Sequence, residues 1–181
     1  RRMAAAGRLE NVTDSLAELG GIGQQALKEM RLLVHQLRPP ALEKEGLLGA
    51  LHQRLGAVER RAGVEARLIA DDLEGLPAAL EEGLYRIAQE ALNNSLKHAS
   101  ATSVTVHIRN TDGQIELEVV DNGQGFDPDM LNDGGGVGLS SMRERTAALG
   151  GTLTLQSAPG AGTRVRVSFA GTAGTNGEET R

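Results

Sequence analysis

The sequence predicts an α+β chain, and three observations carry that prediction. Apolar residues recur at helical spacing through most of the first hundred positions, two segments around residues 104–119 alternate apolar and polar side chains on either side of an Asp-Gly pair, and two further short alternating segments follow residue 152. Periods of 3.6 and of 2 thus divide the chain between helices and strands.

Composition narrows the function classes. A chain of 181 residues suits one well-cored domain plus an extra element. The net charge is −5 and the lysines are only Lys28, Lys44 and Lys97, so no broad basic surface offers itself to nucleic acid or an anionic membrane. There is no cysteine, no apolar run near the ~20 residues of a membrane span, and no basic-then-apolar leader. The expectation is a cytoplasmic segment without disulfides. Because the sequence begins at Arg1 rather than a methionine, it is expected to be a piece of a longer protein, whose membrane attachment stays open.

Val12, Leu16, Leu19, Gly23, Ala26, Met30, Leu33 and Leu37 alternate spacings of four and three, the seam of a bundle or coiled-coil helix over about residues 10–38. Gly20, Gly21 and Gly23 weaken its first half, and Arg38-Pro39-Pro40 stops it. A second helix is expected from Leu42 to Ala62, with Leu47, Leu48, Leu51, Leu55 and Val58 on one face and Gly63 at its end. Val64–Ile69 reads as a strand and Asp71–Pro77 as a loop. From Ala78 to His98 a third helix is predicted, with Leu80, Leu84, Ile87, Ala91 and Ser95 on one side and Arg86, Glu90, Asn94 and Lys97 on another. A core face and a chemical face therefore share one rod.

Val104, Val106 and Ile108, then Asp112-Gly113, then Ile115, Leu117 and Val119 predict a hairpin on a tight turn. After Asp121 the chain is glycine-rich as far as Ser141, which with Glu144 three residues on reads as a capping box for a helix ending at Gly150-Gly151. Leu153–Gln156 and Arg164–Phe169 are the last strands, joined by a turn over residues 157–162, and Gly171–Arg181 reads as a disordered tail.

Four chemical signals follow one another after residue 85. In Glu90-Ala91-Leu92-Asn93-Asn94-Ser95-Leu96-Lys97-His98, a carboxylate and an amide oxygen one helical turn apart suit a Mg²⁺ that keeps several waters, and Lys97 suits a phosphate. Alone, this is more often the pattern of a solvated helix face. In Asp121-Asn122-Gly123-Gln124-Gly125-Phe126, a strand delivers a carboxylate into a turn that passes close to a ligand. Such a carboxylate can accept from the amino group of adenine and reject the carbonyl of guanine. A plain turn is the alternative; a calcium loop would need more oxygen ligands at regular spacing and a closing Glu, which this pattern lacks. Gly134-Gly135-Gly136-Val137-Gly138-Leu139, just ahead of a helix, offers backbone donors to an anion, or is a hinge. Gly160-Ala161-Gly162-Thr163 places a hydroxyl at a strand start, or is a hairpin turn. There is no Gly-x-x-x-x-Gly-Lys and no Gly-x-Gly-x-x-Gly with an acidic ribose reader, so neither a P-loop nor a dinucleotide fold is expected.

In this order the motifs resemble the Bergerat, or GHKL, ATPases: an Asn box at Glu90–Asn94 and glycine boxes at Asp121–Gly125, Gly136–Gly138 and Gly160–Thr163. Within that superfamily, Leu37-Arg38-Pro39-Pro40-Ala41-Leu42 with Gly46-Leu47, Ala88-Gln89-Glu90-Ala91-Leu92, and Gly138-Leu139-Ser140-Ser141-Met142-Arg143-Glu144-Arg145 are similar to the nitrate/nitrite-sensor subfamily of histidine kinases. The resemblance implies a two-layer α/β sandwich on a mixed, mainly antiparallel sheet, with ATP under a lid around Phe126–Gly136. It implies a partial dimerisation helix over 1–40, a connecting helix over 41–63 and an ATP-binding catalytic domain over 64–170. The implied binding residues are Asn94 for Mg²⁺, Asp121 for the adenine amino group, Gly136 and Gly138 for the phosphates and Thr163 for the base region, and Lys97, His98, Gly123, Gly125, Leu139 and Gly162 are further candidates for cofactor binding. Glu90 is the implied catalytic carboxylate, orienting water or polarising the acceptor.

The family's phosphoacceptor histidine and its flanking acidic residue have no counterpart here, and His35 falls between the seam positions Leu33 and Leu37. The chain alone is therefore expected to bind Mg·ATP without phosphorylating itself. The longer protein is expected to be a homodimer that passes the phosphoryl group to a response regulator. His98 is read as a phosphate contact or as a cap for the last carbonyls of its helix. Another GHKL ATPase, such as an anti-sigma-factor serine kinase or an ATP-driven clamp, and a nucleotide-sensing dimerisation module remain the alternatives.

Overall fold

The structure, a computed structural model, describes residues 20, 39–73, 75–130 and 136–170. Gly20 apart, the helix expected over 10–38, with His35, lies outside the described residues, as do Gly134, Gly135 and the tail over 171–181. The chain divides into Arg1–Arg38 and Pro39–Arg181, and the sheet with its covering helices belongs to the second unit.

Helix α1 spans Pro40–Ala62, with proline at its first position and Gly63 closing it in the left-handed conformation. It is broken at Gly46 (φ 66°, ψ −175°). On an unbroken helix Leu42 and Leu47 would lie about 140° apart; with the break, both are buried. Strand β1 (Glu65–Ala70) comes next, then helix α2 (Ala78–His98), which buries Leu84, Ile87, Ala88, Ala91, Leu92 and Ser95. The expected hairpin is β2 (Ser103–Thr111) and β3 (Gln114–Asp121), and both turn residues have positive φ, 51° at Asp112 and 83° at Gly113.

A 3₁₀ turn at Pro128–Met130 precedes helix α3 (Val137–Ala148), and β4 (Thr152–Ser157) and β5 (Thr163–Phe169) complete the sheet. The helix start corrects the capping-box expectation. The N-cap is Gly136, the carbonyl of which accepts the N–H groups of Leu139 and Ser140, and no side chain caps the helix. Ser141 therefore lies inside α3, about one turn beyond its start. The glycine-rich stretch enters the helix because its first turn packs against α2, a contact that local capping preference does not encode.

The five strands are ordered β1-β2-β3-β5-β4, with β1 and β2 parallel and the other pairs antiparallel. Helix α1 packs on α2 and β1, α2 on β2 and β3, and α3 on α2 and β4, which makes one helical layer on one face of a mixed sheet. Strand parity puts Leu68, Val106, Val119, Val165 and Leu155 in one row under the helices, and Ala70, Ile108, Leu117, Val167 and Leu153 in the next. The row at the other end of this face is different: Ala66, Val104, Asp121, Thr163 and Ser157.

The opposite face carries charge. Glu118 accepts from Arg164 Nη1 at 2.9 Å and from Arg166 Nε and Nη2 at 2.9 and 2.6 Å. Glu116 lies between Arg109 at 3.3 Å and Arg166 at 3.7 Å. Burial acts to raise the Glu118 carboxyl, but the hydrogen bonds and charges of Arg166 and Arg164 outweigh it and hold the group below its ordinary value.

Candidate functional site

The polar end of the inner sheet face opens into a cavity of about 430 Å³. Val119, Val165 and Leu155 line it from the sheet, with Asp121 and Thr163 in the adjacent polar row. Glu90, Ala91, Asn94, Ser95, Lys97 and His98 of α2 form one wall, and Gly136–Leu139 at the start of α3 form another. Gly125 and Phe126 also line it.

Asp121 is an acid that strand parity places on the apolar face, where it is 7% exposed. Two donors hold it. Ser95 Oγ donates to Oδ2 at 2.8 Å and the Gly123 N–H to Oδ1 at 2.9 Å. A carboxylate offers about four lone-pair sites, so both oxygens keep acceptor capacity. Gly162 brackets the same residue from β5: its φ is +74°, and a Cβ there would strike the Asp121 carbonyl oxygen, so both backbone conformation and space require glycine. Ser157 ties the turn together, donating to Gly162 O at 2.9 Å, accepting from the Phe126 N–H at 2.9 Å and lying 3.1 Å from Thr163 Oγ1.

At the other end, α3 approaches α2 closely. A Cβ on Gly138 would collide with Glu90 Oε1 and lie 3.4 Å from Asn94 Nδ2. The first N–H groups of α3 have no acceptor within the helix and sit at its positive end, which suits an anion. Gly136, Val137 and Gly138 are all at the cavity wall.

The two adjacent asparagines are separated by their partners. Asn93 Oδ1 accepts from Arg54 Nη2 of α1 at 2.5 Å, whereas Asn94 lines the cavity. Of the residues singled out from sequence, Glu90, Asn94, Lys97, His98, Asp121, Gly125, Gly136, Gly138, Leu139 and Thr163 line the cavity, while Gly123 and Gly162 act from behind it on Asp121. His98 and Lys97 are at the rim, and the His98 carbonyl accepts from Gln124 Nε2 at 2.6 Å. Sequence reasoning misses Ser157 and takes Ser95 as only a core-side marker. Parity alone signals Ser157, since it stands opposite Thr163 in the polar row. Among the described residues no group of three or more His, Cys, Asp or Glu is placed to hold a metal ion.

Residues 79–172 match the family of histidine kinase-, DNA gyrase B-, and HSP90-like ATPases. The chain is 36% identical over 143 residues to the sensor histidine kinase LiaS of Bacillus subtilis, covering 79% of this chain and 39% of that protein. It therefore spans well under half the length of that relative. The histidine kinase domain of the Erythrobacter litoralis EL346 blue-light activated kinase shares the fold with a TM-score of 0.58 at 23% identity, over 67% of this chain and 58% of that one. Full-length ShkA in complex with AMPPNP aligns with a TM-score of 0.50 at 26% identity, over 68% of this chain and 30% of that one. The match across more than half of the chain, together with a cavity built from its Asn and glycine boxes, makes this chain a member of the histidine kinase-, DNA gyrase B-, and HSP90-like ATPase family, with sequence similarity to LiaS-type sensor histidine kinases.

Proposed function

We propose that this chain is the Mg·ATP-binding catalytic portion of a two-component sensor histidine kinase. In this reading the longer protein is a dimer that phosphorylates a histidine outside this sequence and passes the phosphoryl group to an aspartate of a response regulator. The observation that carries the reading is the polarity of the cavity: a buried carboxylate with spare acceptor capacity at one end, and helix N-terminal donors facing Glu90 and Asn94 at the other. The size supports it as well, because ~300–1,000 Å³ is the usual range for small-molecule sites. AMPPNP in the similar ShkA is consistent with a nucleotide here.

Each residue's role depends on which end of the cavity it lines. Asp121 accepts from the adenine amino group, with Thr163, Gly125 and the apolar row of Val119, Leu155 and Val165 around the base. Gly136 and Gly138 bring backbone donors to the phosphates, with Leu139 lining the cavity beside them, and Lys97 and His98 reach them from the rim. Asn94 offers its amide oxygen to Mg²⁺, which would supply neutralisation of phosphate charge. Glu90, one turn away, is the catalytic carboxylate that orients or polarises the attacking group. With few covalent demands on the protein, this is catalysis by positioning and electrostatics.

Residues 1–40 are then part of the dimerisation element, 41–63 the connecting helix, 64–170 the ATP-binding domain and 171–181 a tail. The proposed location is cytoplasmic; among the described residues no helix is long and apolar enough to cross a membrane. The test is a version of the protein extended upstream of Arg1 and supplied with γ-labelled ATP. Acid-labile label on a histidine, transferable to a response regulator, is expected. Acid-stable label on a serine of an added anti-anti-sigma protein would overturn the reading in favour of another ATPase of this family.

A further inference from the structure

We infer that Ser95 is a specificity-determining positioning residue, with a hydroxyl that fixes the Asp121 carboxylate in the orientation that presents acceptor capacity to the exocyclic amino group of an adenine. The inference rests on the Mg·ATP reading above and deepens it, since the resemblance gives Ser95 no role.

Ser95 is 4% exposed and sits on α2 between the core and the cavity. A serine inside a helix ordinarily satisfies its hydroxyl on the carbonyl four residues back. Here that carbonyl, Ala91 O, is 3.1 Å away and Asp121 Oδ2 is 2.8 Å away. One hydroxyl has one proton, and the nearer, charged acceptor is the stronger partner.

The second donor, the Gly123 N–H, acts on the other oxygen. It is held in turn, because Gly123 packs against Ala99 and the following Gln124 N–H donates to Ala99 O at 2.7 Å. Two donors on different oxygens fix the rotation of the carboxylate as well as its position. With the backbone donor alone, the group can pivot about its Cβ–Cγ bond, and its free lone pairs no longer point reproducibly into the cavity. The cross-strand neighbours do not replace Ser95, because Val104 is apolar and Thr163 Oγ1 lies against Ser157.

The test compares two nucleotides on one protein. Calorimetric titrations of the wild type and Ser95→Ala are made with Mg·ATP and with Mg·purine riboside triphosphate, which lacks the amino group. The wild type is expected to prefer ATP by about 10–100-fold, the worth of one hydrogen bond to a charged acceptor. Ser95→Ala is expected to bind ATP about tenfold more weakly and the amino-free nucleotide unchanged, a result that also shows the pocket to be folded. Ser95→Cys, similar in size with a weaker donor, is expected to fall between. Equal weakening for both nucleotides, or no weakening for ATP, would overturn the role of Ser95 while leaving ATP binding intact. A wild type that binds both nucleotides equally would instead remove the reading of Asp121 on which the inference stands.

Discussion

Glu118 and Asp121 stand three residues apart on β3, one 3% and the other 7% exposed, and strand parity sends them to opposite faces of the sheet. On the open face Glu118 is surrounded by cations and takes three hydrogen bonds from Arg164 and Arg166. On the helix-covered face Asp121 has two neutral donors and a cavity in front of it. Burial of a carboxylate therefore does not by itself mark a site. The distinction lies in what its lone pairs face: two guanidiniums make a cross-strand clamp, whereas neutral donors and open space leave an acid able to recognise something from outside.

The comparison can be broken most strongly by exchanging each acid for its amide. Asp121→Asn is expected to lower ATP affinity by about a hundredfold, since it removes a charged acceptor and turns an NH₂ toward donors. Glu118→Gln is expected to leave ATP affinity as it is, and calorimetry on both variants checks the pair. Next in size is a stability effect: Glu118→Ala should cost about 1–2 kcal/mol in denaturant unfolding, because the guanidiniums it leaves behind are partly hydrated. That contribution also has a pH window. With the Glu118 carboxyl held below its ordinary value of 4.5, its stabilisation is present above that value and disappears as pH falls through the folded-state value. The gap in unfolding midpoint between wild type and Glu118→Gln should therefore close as pH is lowered from neutrality past 4.5. Smallest is Arg109→Ala, which removes an exposed pair with Glu116 and should shift stability by no more than about 0.5 kcal/mol.

Much of this difference is legible in the sequence. Alternation over Ile115, Leu117 and Val119 puts Asp121 on the apolar side, and the glycines after it mark a close approach. Glu118, in the other parity, reads as an outward residue; its burial comes from Arg164 and Arg166, which lie 46 and 48 residues away in sequence. Helix α2 and the hairpin are legible to within a residue or two because each carries its own period and its own stop. The start of α3 is not, because Gly136–Gly138 is a poor helix opening by propensity and becomes one through contact with Glu90 and Asn94. Ser95 shows the same limit. Its spacing places it at the edge of the core, and only the approach of β3 supplies the carboxylate that gives the hydroxyl a second role.

The most direct test of the account is calorimetric titration of the wild-type chain with Mg·ATP and Mg·GTP. Guanine presents a carbonyl where adenine presents an amino group, so a carboxylate with free lone pairs at that position must discriminate. ATP binding at least about tenfold tighter than GTP, dependent on Asp121, is the predicted result; equal affinities would contradict the assignment of Asp121 as the base reader and with it the proposed orientation of the nucleotide in the cavity.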